Sequence, residues 1–260
     1  MAQDDPFGTT HGRYALGDGL EPLASQVISV LCERQTNAPS GARQIVVDYL
    51  LRAVTSRNSF DAALVMEELR GYRLTIDAII DLYIPQVAWH MGELWQTSDL
   101  DFASVTVGAL RLQALLGEAS AVMPHTHTLT PNTPLALVIV SEGEQHFLGA
   151  SVVAAQLRRL GCDVSLSIAE PPKQITNRVL YDQPDMVLMS CAQVAGLETI
   201  ARNVKKVRRA IDPAPVIALG GALRGDIDGI RKKTGVDLVT NSAKDVVGFY
   251  TKRHKALSRG

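Results

Sequence analysis

The sequence has almost no net charge, no cysteine framework and no long apolar run. Lys and Arg number 26 against 27 Asp and Glu, so the overall charge supplies no field that would favour nucleic acid or an anionic membrane. Three widely separated cysteines, Cys32, Cys162 and Cys191, predict free thiols rather than disulfides or a Cys-rich zinc site. No apolar stretch reaches the roughly 20 residues of a membrane span, and no signal peptide pattern is present. We therefore expect a cytoplasmic protein without membrane contact.

The first half of the chain has the apolar spacing of helices and no convincing strand. Residues 1–20 are polar and Gly-rich, which predicts a disordered segment, and 21–123 predict a helical bundle. The predicted helices lie near 21–35, 41–56, 59–70, 75–95 and 102–122. The stretch PHTHTLTPNTP, 124–134, contains three prolines and predicts an interdomain linker.

Residues 135–260 change to short β-rich runs that alternate with amphipathic helices. Strands are predicted near 135–140, 163–168, 186–191, 215–220 and 237–240. Helices are predicted near 146–160, 172–182, 196–210, 226–234 and 243–256. Five such units predict an α/β domain with a flavodoxin-like, doubly wound, five-stranded parallel sheet. Ligands of these sheets bind beyond the carboxyl ends of the strands, where this chain reads SEGEQH, SCAQVAG, GGALRG and TNSAKD.

Two common uses of this topology do not fit the strand ends. A phosphate-accepting receiver domain needs an aspartate at the end of strand three, where this chain has Ser190 and Cys191. A dinucleotide site needs a glycine-rich first turn, and SEGEQHFLG offers one early glycine followed by bulky side chains. Both interpretations are therefore disfavoured.

The first strand end instead offers an imidazole, His146. A single histidine cannot complete a metal site made of protein ligands alone, so a metal would have to arrive inside a cofactor. Glu144 could bond the second ring nitrogen and fix the tautomer. A solvated loop histidine is the alternative. Ser190 and the pair Gly220-Gly221 favour the cofactor, because a small hydroxyl and two glycines outline a slot that admits a ligand closely.

These residues resemble the signature of the cobalamin-binding domain, Asp-x-His-x-x-Gly, then Ser-x-Leu, then Gly-Gly. The matching positions are Glu144, His146, Gly149, Ser190, Ala192, Gly220 and Gly221. Forty residues separate Gly149 from Ser190, and twenty-seven separate Ala192 from Gly220, as the signature requires. The resemblance implies that His146 is the lower axial ligand of cobalt, and that the displaced nucleotide tail enters the slot. Glu144 and Ala192 depart from the Asp and Leu of the signature.

The resemblance extends weakly into the helical half. Cobalamin photoreceptors cap the corrin with a bundle that carries Trp, nine residues, then Glu-His. Trp95 stands at a suitable place, either over the corrin or in the bundle core, but Val105 and Thr106 replace Glu-His. The resemblance therefore implies an open or water-accessible upper face. His90 is an alternative upper ligand, although a surface position is the simpler interpretation.

Within this family, the chain is most similar to the AerR/PpaA group of purple photosynthetic bacteria. That similarity implies a light- or redox-responsive antirepressor, not an enzyme, that binds hydroxo-, methyl- or adenosylcobalamin and contacts a repressor of the CrtJ/PpsR type. DNA would be reached only indirectly, and the sequence also permits a homo-oligomer. Two alternatives stay open: a corrinoid protein that carries a methyl group between methyltransferases, and a sensor that binds haem in the same slot.

Overall fold

A computed structural model of the chain describes residues 42–122, 130, 132–141, 147–191, 194–221 and 226–257. The predicted segment 1–20, the predicted helix near 21–35 and most of the predicted linker 124–134 lie outside the described residues. The described parts form a helical region followed by an α/β region.

Four helices precede the first strand within the described residues. They are α1 (Gln44–Thr55), α2 (Ala62–Gly71), α3 (Ile76–Ala78 continuing through Ile79–Tyr83 and Ile84–Gln96) and α4 (Phe102–Ala121). Polar side chains cap the first turns of α2, α3 and α4. In α4, for example, the Asp101 carboxylate accepts a hydrogen bond from the Ser104 N–H group at 2.7 Å. Apolar residues that recur every three or four positions are buried in one core between the helices.

Helix α3 differs from the uninterrupted helix that the spacing near 75–95 predicts. Ile79–Tyr83 forms a π-helical turn, and the N–H group of Ile84 bonds to the carbonyl of Ile79 five residues earlier. The cause is Pro85, which has no N–H group and whose ring would strike the carbonyl of Asp81 in a regular helix. One wider turn moves that carbonyl away while the helix continues.

The α/β region has the topology that the sequence predicts. Its strands are β1 (Leu135–Val140), β2 (Asp163–Ile168), β3 (Met186–Ser190), β4 (Val216–Gly220) and β5 (Leu238–Val239). Its helices are α5 (Phe147–Arg159), α6 (Pro172–Asp182), α7 (Leu197–Ala210), α8 (Ile227–Thr234) and α9 (Ala243–Leu257). All strands pair in parallel, in the order β2-β1-β3-β4-β5. The predicted flavodoxin-like sheet is confirmed.

Helices cover both faces of the sheet. Apolar residues of α6, α7 and α8 pack on one face, where Leu137 and Ile217 are fully buried. Residues of α5 and α9 pack on the other face against Val138 and Ala218. Because both faces of the sheet are buried, strands such as β1 (LALVIV) are apolar along their whole length.

Helix α5 belongs to two cores. Ala150, Ala154 and Leu157 pack on the sheet, whereas Val152 and Ala155 are buried in the core of the helical region. Beside these apolar contacts, Gln156 Nε2 donates to Asp81 Oδ1 at 3.0 Å. The Arg159 guanidinium binds the carboxylates of Asp77 and Asp81. The α/β domain is thus attached to the π-helical turn of α3 through α5.

The described cysteines and the described helices agree with two expectations from composition. Cys162 and Cys191 are both buried free thiols. Burial, and secondarily the charge of Asp185, raises the pKa of Cys162 to about 11, so this thiol is protonated at neutral pH. In the part of the chain that the structure describes, every helix is too short or too polar to cross a membrane.

Replacing Arg159 tests the attachment of α5. We expect Arg159→Met to lower the free energy of unfolding by about 1–2 kcal/mol, because a charged hydrogen bond contributes about 1.5–3 kcal/mol and the exposure of Asp77 and Asp81 reduces this. The exposed Arg52→Met is the control and should change stability by less than about 0.5 kcal/mol. Urea denaturation measures both. Equal losses in the two variants would contradict the role of Arg159.

Candidate functional site

The carboxyl edge of the sheet brings together the ends of β1, β3 and β4. Val140 pairs with Ser190, and Ser190 pairs with Gly220, so these three residues lie side by side in register. Because parallel strands end at the same edge, the turns that follow them form one surface. This surface faces the helical region.

A cavity of about 240 Å³ lies between the carboxyl edge and helices α3 and α4. Its lower wall comes from the α/β domain: Phe147, Leu148, Gly149, Ala150, Val152, Val153, Leu188, Met189, Ser190, Ala218, Gly220, Gly221, Thr240, Asn241, Ser242, Ala243 and Val246. Its upper wall comes from α3 and α4: Pro85, Ala88, Phe102, Thr106, Ala109, Leu110 and Gln113. The cavity is therefore a site built by both regions together.

Gly220 and Gly221 let the lower wall come close to neighbouring backbone. Gly221 has φ +121°, and a Cβ atom on it would lie 2.1 Å from the carbonyl oxygen of Cys191. A Cβ atom on Gly220 would lie 3.1 Å from the carbonyl oxygen of Thr240. Only glycine meets both demands at position 221, the left-handed backbone and the close approach. The Gly-Gly pair of the signature thus has a steric reason in this chain.

Asn241 holds this glycine turn in place from the end of β5. Its Oδ1 accepts a hydrogen bond from the Gly221 N–H group at 2.8 Å, and its Nδ2 donates to the Gly221 carbonyl at 3.0 Å. Asn241 also lines the cavity. Asn241 lies in the strand-end segment TNSAKD, but it was not among the predicted site residues, because the cobalamin-binding signature includes no residue after strand five.

Gln113 is a polar residue in an otherwise mostly apolar upper wall. Its Nε2 donates to Ser151 Oγ on α5 at 2.9 Å, while its Oε1 is buried without a hydrogen-bond partner. The hydroxyl of Thr106, the other polar side chain of this wall, already donates to the Phe102 carbonyl. A buried carbonyl oxygen without a donor costs about 1–3 kcal/mol, so the wall is complete only when a donor is supplied. Gln113 was not among the predicted site residues; it lies seven residues after Thr106, on the same helical face.

The described lining of the cavity contains no ionisable side chain. Within the described residues, no cluster of three His, Cys, Asp or Glu could hold a metal ion. These residues therefore offer neither a general acid or base nor a complete set of metal ligands, and they favour an uncharged organic group with carbonyl or amide edges.

The predicted site residues divide into three groups. Gly149, Ser190, Gly220 and Gly221 line the cavity together. Trp95 lies elsewhere, half-buried against the core of the helical region and outside the cavity lining. Its contact with a corrin stays a prediction.

Three predicted positions, Glu144, His146 and Ala192, lie outside the described residues. The next residue after His146 in the chain, Phe147, lines the cavity. His90 does not, and its Nδ1 lies 3.6 Å from Glu93 Oε2.

Fold and cavity together define a class: a doubly wound α/β domain with a cavity between its carboxyl edge and a helical cap. The B12-binding domain family model matches residues 134–247, the part of the chain that contains the sheet and its glycine turn.

Two known proteins are similar over longer stretches. The monomethylamine corrinoid protein of Methanosarcina barkeri superposes with a TM-score of 0.64 at 13% identity, covering 80% of this chain and 98% of that protein. At this identity the likeness concerns the fold. An uncharacterized 20.5 kDa protein in the bchF-crtJ intergenic region of Rhodobacter capsulatus is 29% identical over 188 residues, which are 72% of this chain and 98% of the relative.

The chemistry of the described lining is compatible with the edges of a corrin ring. The corrin periphery carries carboxamides, which can donate to a buried acceptor such as Gln113 Oε1. The turn at Gly221 packs against the Cys191 backbone too closely for any side chain, so this part of the cavity wall is bare backbone. The described part of the lining is uncharged, which suits the amide edges of such a ring. The family match and these features support cobalamin as the cofactor.

A glycine pair gives a matched test of the turn. We expect Gly221→Ala to lower the free energy of unfolding by about 2–4 kcal/mol and to abolish cobalamin binding, because the methyl group collides with Cys191 and the backbone becomes strained. Gly248→Ala, in α9, would meet no atom within 4 Å and should stabilise the protein by about 0.5–1 kcal/mol. Urea denaturation and equilibrium dialysis with cobalamin are the measurements. Unchanged binding by Gly221→Ala would exclude the turn from the site.

Proposed function

We propose that the protein is a non-enzymatic cobalamin-dependent antirepressor that responds to light or redox state and contacts a separate repressor of the CrtJ/PpsR type. The cobalamin part of this proposal is supported chiefly by one observation: Gly149, Ser190, Gly220 and Gly221 line the same cavity. Motif positions far apart in the sequence meet there. The lining residues that the structure describes include no ionisable side chain, which favours ligand binding over acid-base catalysis.

In this proposal His146 would hold the cofactor by binding its cobalt, and Glu144 would orient the imidazole through its second nitrogen. When bound, the cofactor would supply a metal whose ligation responds to light or redox state.

The partner is inferred from the relative in Rhodobacter capsulatus. That relative lies in the bchF-crtJ intergenic region, and the crtJ gene shares its name with the CrtJ repressor. The corrinoid protein of Methanosarcina barkeri resembles this chain at the level of fold, which does not favour methyl carriage. In the proposed role, DNA is reached through the repressor.

Helix α5 supplies a path from the ligand loop to the helical region. It begins at Phe147, directly after His146, and its last residue, Arg159, binds Asp77 and Asp81 on α3. A helix of this length behaves as a stiff element, so a shift at its first turn changes the packing at its other end. We propose that the repressor recognises the surface altered in this way.

The first test of the proposed function removes the imidazole. We expect His146→Ala to change the absorption spectrum of the cobalamin-loaded protein and to remove the difference in repressor affinity between darkness and illumination. His90→Ala is the matched control and should behave as wild type, since His90 lies outside the described cavity lining. A wild-type spectrum and wild-type repressor binding in His146→Ala would refute the ligand role. A haem-type spectrum of the native protein would replace cobalamin by haem.

A second test concerns the unpaired carboxamide of the upper wall. We expect Gln113→Leu to weaken cobalamin binding about tenfold, corresponding to one lost hydrogen bond of about 1.4 kcal/mol. The cofactor-free variant should stay within about 1 kcal/mol of wild type, because removing the buried acceptor without a partner offsets the loss of the Gln113 bond to Ser151 Oγ. Thr106→Val is the control, since the Thr106 hydroxyl is already bonded within its own helix. Isothermal titration with cobalamin measures both, and undiminished binding by Gln113→Leu would contradict the contact.

A further inference from the structure

The near-zero net charge of the chain hides a strong segregation of charge. Residues 1–150 contain 17 Asp and Glu against 8 Lys and Arg, whereas residues 151–260 contain 10 against 18. The near-zero net charge is therefore the sum of an acidic first region and a basic second region. Charge asymmetry between the halves of a chain points to an ionic partner for one of them.

The positive charge concentrates on two neighbouring helices, α7 and α8. Seven exposed basic side chains form what we call the α7–α8 basic surface: Arg202, Lys205, Lys206, Arg209, Arg231, Lys232 and Lys233. Arg208 shows that the ends of the two helices meet, because its Nη2 donates to the carbonyl of Gly235 and to Asp237 Oδ1, each at 2.9 Å. Gly235 directly follows α8, so the basic last turns of both helices lie side by side.

These seven side chains differ from other arginines of the protein. Arg159, Arg178 and Arg208 each have a carboxylate within 4 Å. Among the described residues, no carboxylate lies within that distance of any side chain of the α7–α8 basic surface. The two helix dipoles account for about half a negative charge each, which is far less than the positive charge present. The excess repels itself and costs stability unless a partner neutralises it.

The surface lacks the features of an interface with a folded protein. The exposed side chains of α7 are Glu198, Arg202, Lys205, Lys206 and Arg209, all charged. Protein interfaces need buried aromatic or apolar anchors and are depleted in lysine, and insertion into a membrane surface needs an apolar face. The surface therefore fits a partner that is itself a dense array of negative charge.

Double-stranded DNA has the matching spacing. From Arg202 to Arg209 the helical rise covers about 10 Å. Over that length a duplex presents about six phosphates. Basic side chains that meet phosphates position a protein on DNA without reading its sequence. We infer that the α7–α8 basic surface binds the phosphate backbone of double-stranded DNA in a sequence-independent way.

This contact goes beyond the proposed function and lies far from the cofactor. The basic last turns of α7 and α8 lie at the amino edge of the sheet, because each helix returns antiparallel to the strand before it. The cavity lies at the carboxyl edge. Cobalamin and DNA can therefore be bound at the same time, and the antirepressor would meet a DNA-bound repressor with its own weak hold on the duplex.

The test is fluorescence anisotropy of a labelled duplex of arbitrary sequence with the full cobalamin-loaded chain and no repressor. Binding should weaken with salt, with a slope of about −5 in log K against log salt concentration, and about a thousandfold between 50 and 200 mM salt. The triple variant Lys205→Gln, Lys206→Gln, Arg209→Gln should lower the slope by about 3. Its cobalamin spectrum should equal that of the wild type, which shows that it is folded.

A control variant with the same change in net charge distinguishes an effect of the α7–α8 basic surface from an effect of the total charge of the protein. The triple variant Arg52→Gln, Arg57→Gln, Arg70→Gln alters exposed arginines of the helical region and should keep the wild-type slope. Equal effects of the two triple variants would overturn the proposal, as would absence of duplex binding at low salt. Binding to vesicles containing anionic phosphatidylserine, or to a second copy of the chain, in place of the duplex would also overturn it. None of these outcomes bears on the repressor contact, so the two proposals fail separately.

Discussion

The structure depends on one helix, α5, being packed against two partners at once. One side covers the sheet through Ala150, Ala154 and Leu157, and another side completes the core of the helical region through Val152 and Ala155. The ion pairs of Arg159 then fix its far end to the π-helical turn of α3. Without this sharing, the helical region would have no fixed position over the carboxyl edge, and the cavity would have no upper wall.

The chemistry of the cavity follows from the placement that α5 enforces. Backbone and small side chains form the lower wall, held by the two bonds of Asn241 to Gly221. The upper wall is mostly apolar, with an unpaired carboxamide oxygen at Gln113. A site of this kind selects a ligand by shape and hydrogen bonding. The B12-binding domain family model matches this part of the chain.

The sequence was sufficient for the sheet because local and global signals agree there. Runs such as LALVIV and MVLMS can only be buried strands, and the helices between them dictate parallel pairing. The glycines and Ser190 were also predictable, since a motif with fixed spacing identifies them. Gln113 and Asn241 were not, because their roles arise from contacts across 38 and 20 residues that no local pattern encodes. The π-helical turn escaped prediction for a similar reason: Pro85 permits a kink, a break or a wider turn, and packing selects one.

The double role of α5 also sets an order of assembly. The core of the helical region contains residues from Val46 to Ala155, so it stays incomplete during synthesis until β1 and α5 have left the ribosome. Until then its apolar faces are exposed to water and to other nascent chains. Contacts that span about a hundred residues also slow the closing of that core. The helical region therefore matures together with the domain it covers, and the cofactor cavity comes into existence in the same step.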